Sequence, residues 1–278
     1  MHLPMTRVAG PGRIHQMKLR PCIDIHNGKV KQIVGGTLSD ESGAAENFVA
    51  ERSSEFYASL FKSYGMKGGH IILLNKAGTP EYEADMEAAR RALEVYPGGF
   101  MIGGGVTTDT AETLLELGAS HVIVTSYVFS GGQLHRDKLD ELVEKIGADR
   151  LVLDLSCRYS GDGYYIATDR WQYLTDIKVD EALLISLSDS CSEYLIHAVD
   201  VEGKRNGVDV RLLQLLSDWA ASEHTGRITY AGGVAGLTDI DRIEQIGGGR
   251  IDLTIGSALD IYGGDMALCD VINHINHV

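Results

Sequence analysis

Cysteine is scarce in this sequence, and long apolar runs are missing. The four cysteines, Cys22, Cys157, Cys191 and Cys269, are spread over 278 residues with no C-x-x-C pair and no cluster of histidines beside them. That spacing excludes a disulfide scaffold and offers no zinc site, so no metal is expected. It fits a reducing compartment, cytoplasmic in type, with import into an organelle left open. No apolar stretch approaches the roughly 18–20 residues of a membrane span, and no membrane partner is expected. Positive charge is also short: 25 Lys and Arg against 39 Asp and Glu leave a net charge of −14. A protein that grips a nucleic-acid backbone needs a basic face, so nucleic acid is excluded as a partner. The same field repels any anionic ligand, whose binding must then come from local donors, chiefly backbone N–H groups.

What remains is ordinary globular composition, 44% hydrophobic and 23% charged, in a chain long enough for one large core. The opening stretch MHLPMTRVAGPGRIHQ has no apolar periodicity and no signal-peptide core. Residues 1–16 are therefore expected to form a disordered extension, with residues 17–278 as one domain.

Short apolar or β-branched runs alternate with helical patterns. Strands are expected at residues 21–25, 70–74, 100–102, 121–125, 151–155, 194–198, 228–231 and 253–255. Such nearly continuous apolar runs suit parallel strands buried on both faces. Helices are expected at 83–96, 109–117, 138–146, 210–221, 239–246 and 266–275, the second opening on Asp109 and Glu112 at capping-box spacing. Periodicity alone admits either a closed barrel or an open doubly wound sheet. An internal repeat favours the barrel. Cys22-Ile-Asp24 and Val152-Leu-Asp154 end two strands. At closely matching distances downstream come Gly103-Gly104-Gly105-Val106 and Gly232-Gly233-Val234, then the small polar strand ends Thr125-Ser126 and Gly256-Ser257. Two halves with the same order of parts close naturally as a single (β/α)8 TIM barrel with a twofold half-barrel repeat.

The paired glycines, at strand-to-helix handovers, serve either as tight turns or as cradles where backbone N–H groups meet an anion. Duplication favours cradles, one per half, and hence a ligand with two phosphates. Asp24 and Asp154 end apolar runs at matching places, where an Asp is uncommon unless paired or functional. Two carboxylates in unlike surroundings can divide into an acid and a base. Gly161-Asp-Gly163 reads as a turn with 164–166 as a hairpin arm. Trp171 beyond it either packs the loop onto the rim or stacks on a flat ligand ring. His26, His70 and His197 lie near strand ends and read first as structural histidines. Residues 247–249 read as a helix-to-strand loop on the opposite face.

Together these residues resemble the phosphoribosylformimino-aminoimidazole carboxamide ribotide isomerase family of histidine biosynthesis, in its fungal and plant version. The likeness runs from about Leu19 to the C-terminus. It is carried by Cys22-Ile-Asp-Ile-His-Asn-Gly-Lys-Val-Lys-Gln-Ile-Val-Gly-Gly-Thr37, Asp154-Leu-Ser-Cys-Arg158, Leu195-Ile-His-Ala-Val-Asp-Val-Glu-Gly203, Tyr230-Ala-Gly-Gly233 and Asp252-Leu-Thr-Ile-Gly-Ser257. The resemblance implies an Amadori-type isomerisation of the bisphosphorylated aminoaldose ProFAR to the aminoketose PRFAR, without cofactor or metal. It implies Asp24 as general base at the sugar C2 and Asp154 as general acid that opens the furanose ring. Gly104, Gly105, Thr125 and Ser126 would hold one phosphate, and Gly232, Gly233, Gly256 and Ser257 the other, with Trp171 stacked on the substrate. The expected partner is this small molecule alone, and the expected state a monomer.

Three places depart from the family's pattern. Thr107 stands where bacterial members often have an Arg, the strand-two end, where an Asp is usual, reads His70-Ile-Ile-Leu-Leu-Asn75, and His197-Ala-Val-Asp200 lacks a strand-six Thr, leaving Asp200 as a candidate contact. Two other readings stay open. The cyclase subunit of imidazole glycerol phosphate synthase shares the repeat, but should carry a Lys soon after its first Asp, where this chain has Ile25-His-Asn-Gly28. A non-catalytic phosphosugar-binding barrel has no need of both aspartates. An open-sheet nucleotide binder lacks any G-x-G-x-x-G or P-loop here.

Overall fold

The computed structural model describes residues 16–33, 46–221 and 226–277. The extension expected at residues 1–16 lies outside that range except for Gln16, as does the part of the first resemblance motif beyond Ile33. Eight parallel strands carry the molecule: Leu19–Arg20 continued by Cys22–His26, then Gly69–Leu73, Phe100–Gly103, Val122–Val124, Leu151–Asp154, Glu193–His197, Arg227–Ala231 and Ile251–Thr254. The first strand decides between barrel and open sheet. Leu19 and Arg20 pair with Leu253 and Thr254 of the eighth strand. Cys22 to Ile25 pair with His70 to Leu73 of the second. The eight parallel strands therefore close on themselves. Pro21, which has no N–H to donate, divides the first strand, but its carbonyl still accepts from the His70 N–H at 2.9 Å.

A helix follows each strand: Ser54–Ser63, Pro80–Val95, Thr108–Glu116, Arg136–Ile146, Glu181–Leu187, Val210–Ala220, Leu237–Gly247 and Leu268–Ile275. The first and fifth were not expected from periodicity. The first, of 10 residues, does bury Tyr57, Ala58 and Phe61 at helical spacing, whereas the fifth, of 7, is too short to show an apolar stripe over several turns. The second helix begins before its apolar pattern does, because Pro80 occupies the first turn and Thr79 Oγ1 accepts from the Tyr82 N–H at 3.2 Å. The third is capped at Thr107 instead of Asp109. The Thr107 N–H donates to Thr110 Oγ1 at 3.0 Å, and Asp109 sits one residue inside the helix, where its charge suits the N-terminal dipole.

The core has two layers. Residues facing out of the barrel, such as Ile23, Ile71, Ile102, Leu153, Tyr194 and Leu253, merge with the inner faces of the helices in one continuous cluster. Inside the barrel a smaller cluster of Met101, Ile123, Val152 and Leu195 packs with Ile72. Both sides of each strand are thus buried, which is why the strand sequences run apolar without alternation. The floor of the barrel is closed by charge: Arg20 donates to Asp252 Oδ2 through Nε at 2.9 Å and Nη2 at 2.6 Å, with Glu193 3.8 Å from the same guanidinium.

Antiparallel additions rise from the opposite end, the smallest of them Phe129–Ser130 paired with Gln133–Leu134 after strand four. After strand one the chain turns at Asn27-Gly28, both with positive φ (54° and 71°), into Lys29–Ile33 and then Glu46–Val49. Asn-Gly is the residue pair that a type I′ hairpin selects, a signal that the sequence reading passed over. After strand five come Cys157–Ser160, Gly163–Thr168 and Tyr173–Lys178, a three-stranded sheet that includes the hairpin expected at residues 161–166. Of the loop expected at residues 247–249, Gly248 and Gly249 form the helix-to-strand turn at the floor, whereas Gly247 is the last residue of the helix.

Candidate active site

The strand ends that carry the repeat converge on one cavity of about 560 Å³ at the C-terminal mouth of the barrel, a volume suited to a small-molecule ligand. Asp24, Asp154, Gly104, Gly105, Thr125, Ser126, Trp171, Gly232, Gly233, Gly256 and Ser257 all line it. Tertiary structure brings together every residue singled out above for chemistry or phosphate, from six of the eight strand ends and the strand-five extension.

The two aspartates sit in opposite electrostatic surroundings. Asp24 keeps some surface open to the cavity but lies deep in its wall. Burial first, and then the neighbouring Glu202 carboxylate, push its pKa up to about 7, against a smaller opposing pull from His197. Asp154 is equally deep, and burial alone would raise its pKa too. Instead it lies below its ordinary value, because His197 and Ser156 outweigh desolvation. The Ser156 N–H and Oγ donate to Asp154 Oδ1 at 2.9 and 2.8 Å, and His197 Nδ1 lies 3.3 Å from the same oxygen. At neutral pH Asp154 is a held carboxylate, whereas Asp24 is poised between its two forms.

The glycine turns obey the half-barrel symmetry in detail. Gly104 and Gly105 have φ of 99° and 68°, and Gly232 and Gly233 have 123° and 77°. A Cβ on Gly104 would come within 2.1 Å of the Leu73 carbonyl oxygen, and one on Gly232 within 3.0 Å of the Ala198 carbonyl oxygen. Each pair is pressed against the end of the preceding strand, two in one half and six in the other. Glycine is therefore required by backbone conformation and close approach, as well as by any anion. Against the net negative charge, three cations line the cavity: Lys76, Arg170 and Arg205.

Trp171 is held by an unusual backbone. Asp169, Arg170 and Trp171 are consecutive non-glycine residues with φ of 51°, 57° and 66°. This left-handed run turns the indole back into the cavity. There it packs against the buried Ile33 and Leu74, with its ring centroid 5.6 Å from that of His197.

Some cavity-lining positions are not marked in the sequence. His197, read as structural, ends strand six inside the cavity beside Asp154. Glu202 follows on the next loop, also lines the cavity and has a buried Oε2 with no hydrogen-bond partner among the described residues. A Glu two residues beyond an apolar run, next to glycine, carries no signal distinguishing it from a surface loop residue. Asp200, the strand-six candidate, is instead turned away. It accepts from the Tyr159 N–H at 3.0 Å, pairs weakly with Arg158 at 3.8 Å, and does not line the cavity. His26 also points elsewhere, with Nδ1 3.3 Å from Lys31 Nζ.

A closed (β/α)8 barrel whose mouth holds two unlike carboxylates between two matched glycine turns defines an enzyme barrel of the phosphosugar-handling class. The family model described as histidine biosynthesis protein matches residues 18–266, and the chain belongs to that family. Its relatives include a chloroplastic protein of Medicago truncatula, 46% identical over 272 residues covering 96% of this chain and 84% of the relative. Proteins of Neurospora crassa and Saccharomyces cerevisiae are 42% and 41% identical, covering 89% and 88% of this chain and 93% and 92% of their own lengths. All three are named as the 1-(5-phosphoribosyl)-5-((5-phosphoribosylamino)methylideneamino) imidazole-4-carboxamide isomerase.

Proposed function

We propose that this chain works as the isomerase those relatives are named for, converting the aminoaldose ProFAR to the aminoketose PRFAR in histidine biosynthesis. The observation that carries the reading is the pair of strand-end carboxylates, Asp24 and Asp154, lining one cavity between two symmetric glycine turns. The substrate has a phosphate at each end. One occupies the N–H groups of Gly104 and Gly105 with the hydroxyls of Thr125 and Ser126. The other occupies Gly232, Gly233, Gly256 and Ser257. Backbone donors and helix N-termini supply the attraction that the overall charge denies, aided by the lining cations. Trp171 stacks on a flat ring of the substrate.

The chemistry follows from this placement. A proton delivered on the Asp154 side to the furanose oxygen lets the C1–O bond break, its electrons going to that oxygen, while the exocyclic nitrogen forms C1=N. The carboxylate of Asp24 then removes the C2 proton, giving an enolamine that becomes the ketose. A base with a pKa near the working pH is the efficient choice for that step. No relative named above is a cyclase. With no Lys soon after Asp24, the cyclase alternative loses its support, and two aspartates in one cavity favour turnover over simple binding.

Four free cysteines, three of them buried, accord with a reducing compartment, the cytoplasm or an importing organelle. No helix among the described residues is long and apolar enough to cross a membrane. We place the working unit as a monomer, since one barrel contains both cradles and both carboxylates. The deciding experiment incubates the pure protein with the aminoaldose, without ammonia, and follows the aminoketose. Absence of conversion, or a strict need for ammonia, would overturn the reading.

A further inference from the structure

Asp154 has a difficulty as the acid of this reaction: its surroundings favour its ionised form. Three donors converge on Oδ1, from the Ser156 backbone, the Ser156 hydroxyl and His197. A carboxylate held so has no proton of its own to give at neutral pH. The proton must come from the group behind it.

His197 is that group by position. Its Nδ1 lies 3.3 Å from Asp154 Oδ1 and 3.2 Å from Ser156 Oγ. Because the Ser156 hydroxyl donates to Asp154, its oxygen is free to accept, so Nδ1 of the imidazole carries hydrogen toward both partners. Trp171 covers the ring at 5.6 Å between centroids and His70 meets it edge-on at 5.9 Å. The imidazole is thus buried, oriented and screened from bulk water.

We propose that His197 stores the proton that Asp154 delivers, so that the acid on this side of the substrate is an imidazolium–carboxylate pair instead of a lone carboxyl group. This rests on the isomerase reading above. In ring opening, the Nδ1 proton passes first to Asp154 Oδ1, leaving a neutral imidazole and a neutral carboxyl, and the carboxyl then gives that proton to the furanose oxygen and becomes a carboxylate again. The positive charge moves from the imidazolium to the C1=N group of the substrate. Asp24 takes the C2 proton and returns it to C1, and the C2 hydroxyl proton goes back to the pair as the ketone forms. Protons and charge balance over the cycle, and no co-reactant is required. His197 acts through Asp154 and is a positioning residue with a second task that no threonine or other uncharged hydrogen-bond donor could take.

The groups facing the imidazole agree with this. Asp154 on strand five, Asp24 on strand one and Glu202 on the loop after strand six are all carboxylates. Burial by itself would lower the His197 pKa, but these charges, Asp154 foremost, raise it to about 9. His70, on strand two, does not compete for the proton, because burial and then repulsion from His197 lower its pKa to about 3.

The test compares the parent protein with His197→Asn, whose amide keeps a donor toward Asp154 but takes no charge, and with His197→Ala. The readouts are kcat, KM and the pH profile of kcat. For His197→Asn we expect kcat to fall on the order of 10²-fold with KM little changed, and the alkaline limb to move to lower pH. Added imidazole should restore part of the His197→Ala rate. A His197→Asn protein with near-parental kcat and the same alkaline limb overturns the inference. So does a loss shared by kcat and KM with no change in the pH profile, which would mark a merely structural histidine. Should His197→Ala fail to fold, the pH profile of His197→Asn decides alone. If the parent itself does not convert the aminoaldose, the isomerase reading falls and this inference with it. A converting parent with either overturning result sinks the inference alone.

Discussion

The backbone N–H of Asp169 donates to Ser126 Oγ at 3.0 Å, tying the left-handed run that presents Trp171 to a residue of the first glycine cradle. One hydroxyl thereby joins the proposed ring-stacking element to the proposed phosphate site. Phosphate and loop meet at the same atom. Ser126→Ala should weaken substrate binding by about 10–100-fold, the worth of a hydrogen bond to a charged group. It should also alter Trp171 fluorescence in the free protein. Unchanged affinity with unchanged fluorescence would mean that neither role belongs to this hydroxyl.

Asp24→Asn and Asp154→Asn should each lower turnover by at least about 10²-fold. Their effects should differ in kind. Asp24→Asn stops exchange of the C2 proton with solvent. Asp154→Asn hinders ring opening, so a substrate analogue already in open form should partly bypass it. Rescue of Asp24→Asn by that analogue, with none for Asp154→Asn, would reverse the two roles.

The pKa of Asp24 sets a pH signature. As a base it must be ionised, so with a pKa of about 7 kcat should rise with pH and level off above about 7. An ordinary aspartate would be fully active from about pH 5. Stability should move the other way. A carboxyl whose folded pKa is raised binds its proton more tightly when folded, so folding is penalised as pH climbs from about 4 through 7. Asp24→Asn should therefore raise Tm at pH 8 and leave it nearly unchanged at pH 4, which thermal melts at the two pH values would check.

Gly233→Val and Ser257→Ala separate backbone necessity from phosphate contact. At Gly233, φ is 77° and a Cβ would lie 2.2 Å from the Gly207 carbonyl oxygen and 2.9 Å from Val201 Cγ2. Valine there should lower Tm as well as affinity, since the strand-six loop must move. Ser257→Ala creates no such collision, and should weaken binding of a bisphosphate while leaving Tm within a degree or two. A normal melt for Gly233→Val, or normal binding for Ser257→Ala, would contradict this division.

Much of this protein was legible in its amino-acid order. Local chemistry announces itself locally: apolar runs that do not alternate mean strands covered on both faces, and Gly104-Gly105 or Gly232-Gly233 after such a run means a tight, anion-ready turn. The repetition of these parts in the order of Asp24 and Asp154 by itself argues for closure. The 7-residue helix Glu181–Leu187 has too few turns to show periodicity and the Asn27-Gly28 hairpin signal spans only two residues, whereas Ser54–Ser63 carries a readable stripe of Tyr57, Ala58 and Phe61. The roles of His197, Glu202 and Asp200 were of another kind. His197 and Asp154 lie on different strands, and 43 residues separate them. Only closure of the barrel sets an imidazole against one aspartate and a carboxylate against the other. A pKa depends on burial and on charges nearby in space, so the sequence by itself determined that two aspartates share one mouth. The packing of the third dimension decided that Asp24 is poised near neutrality while Asp154 is held ionised.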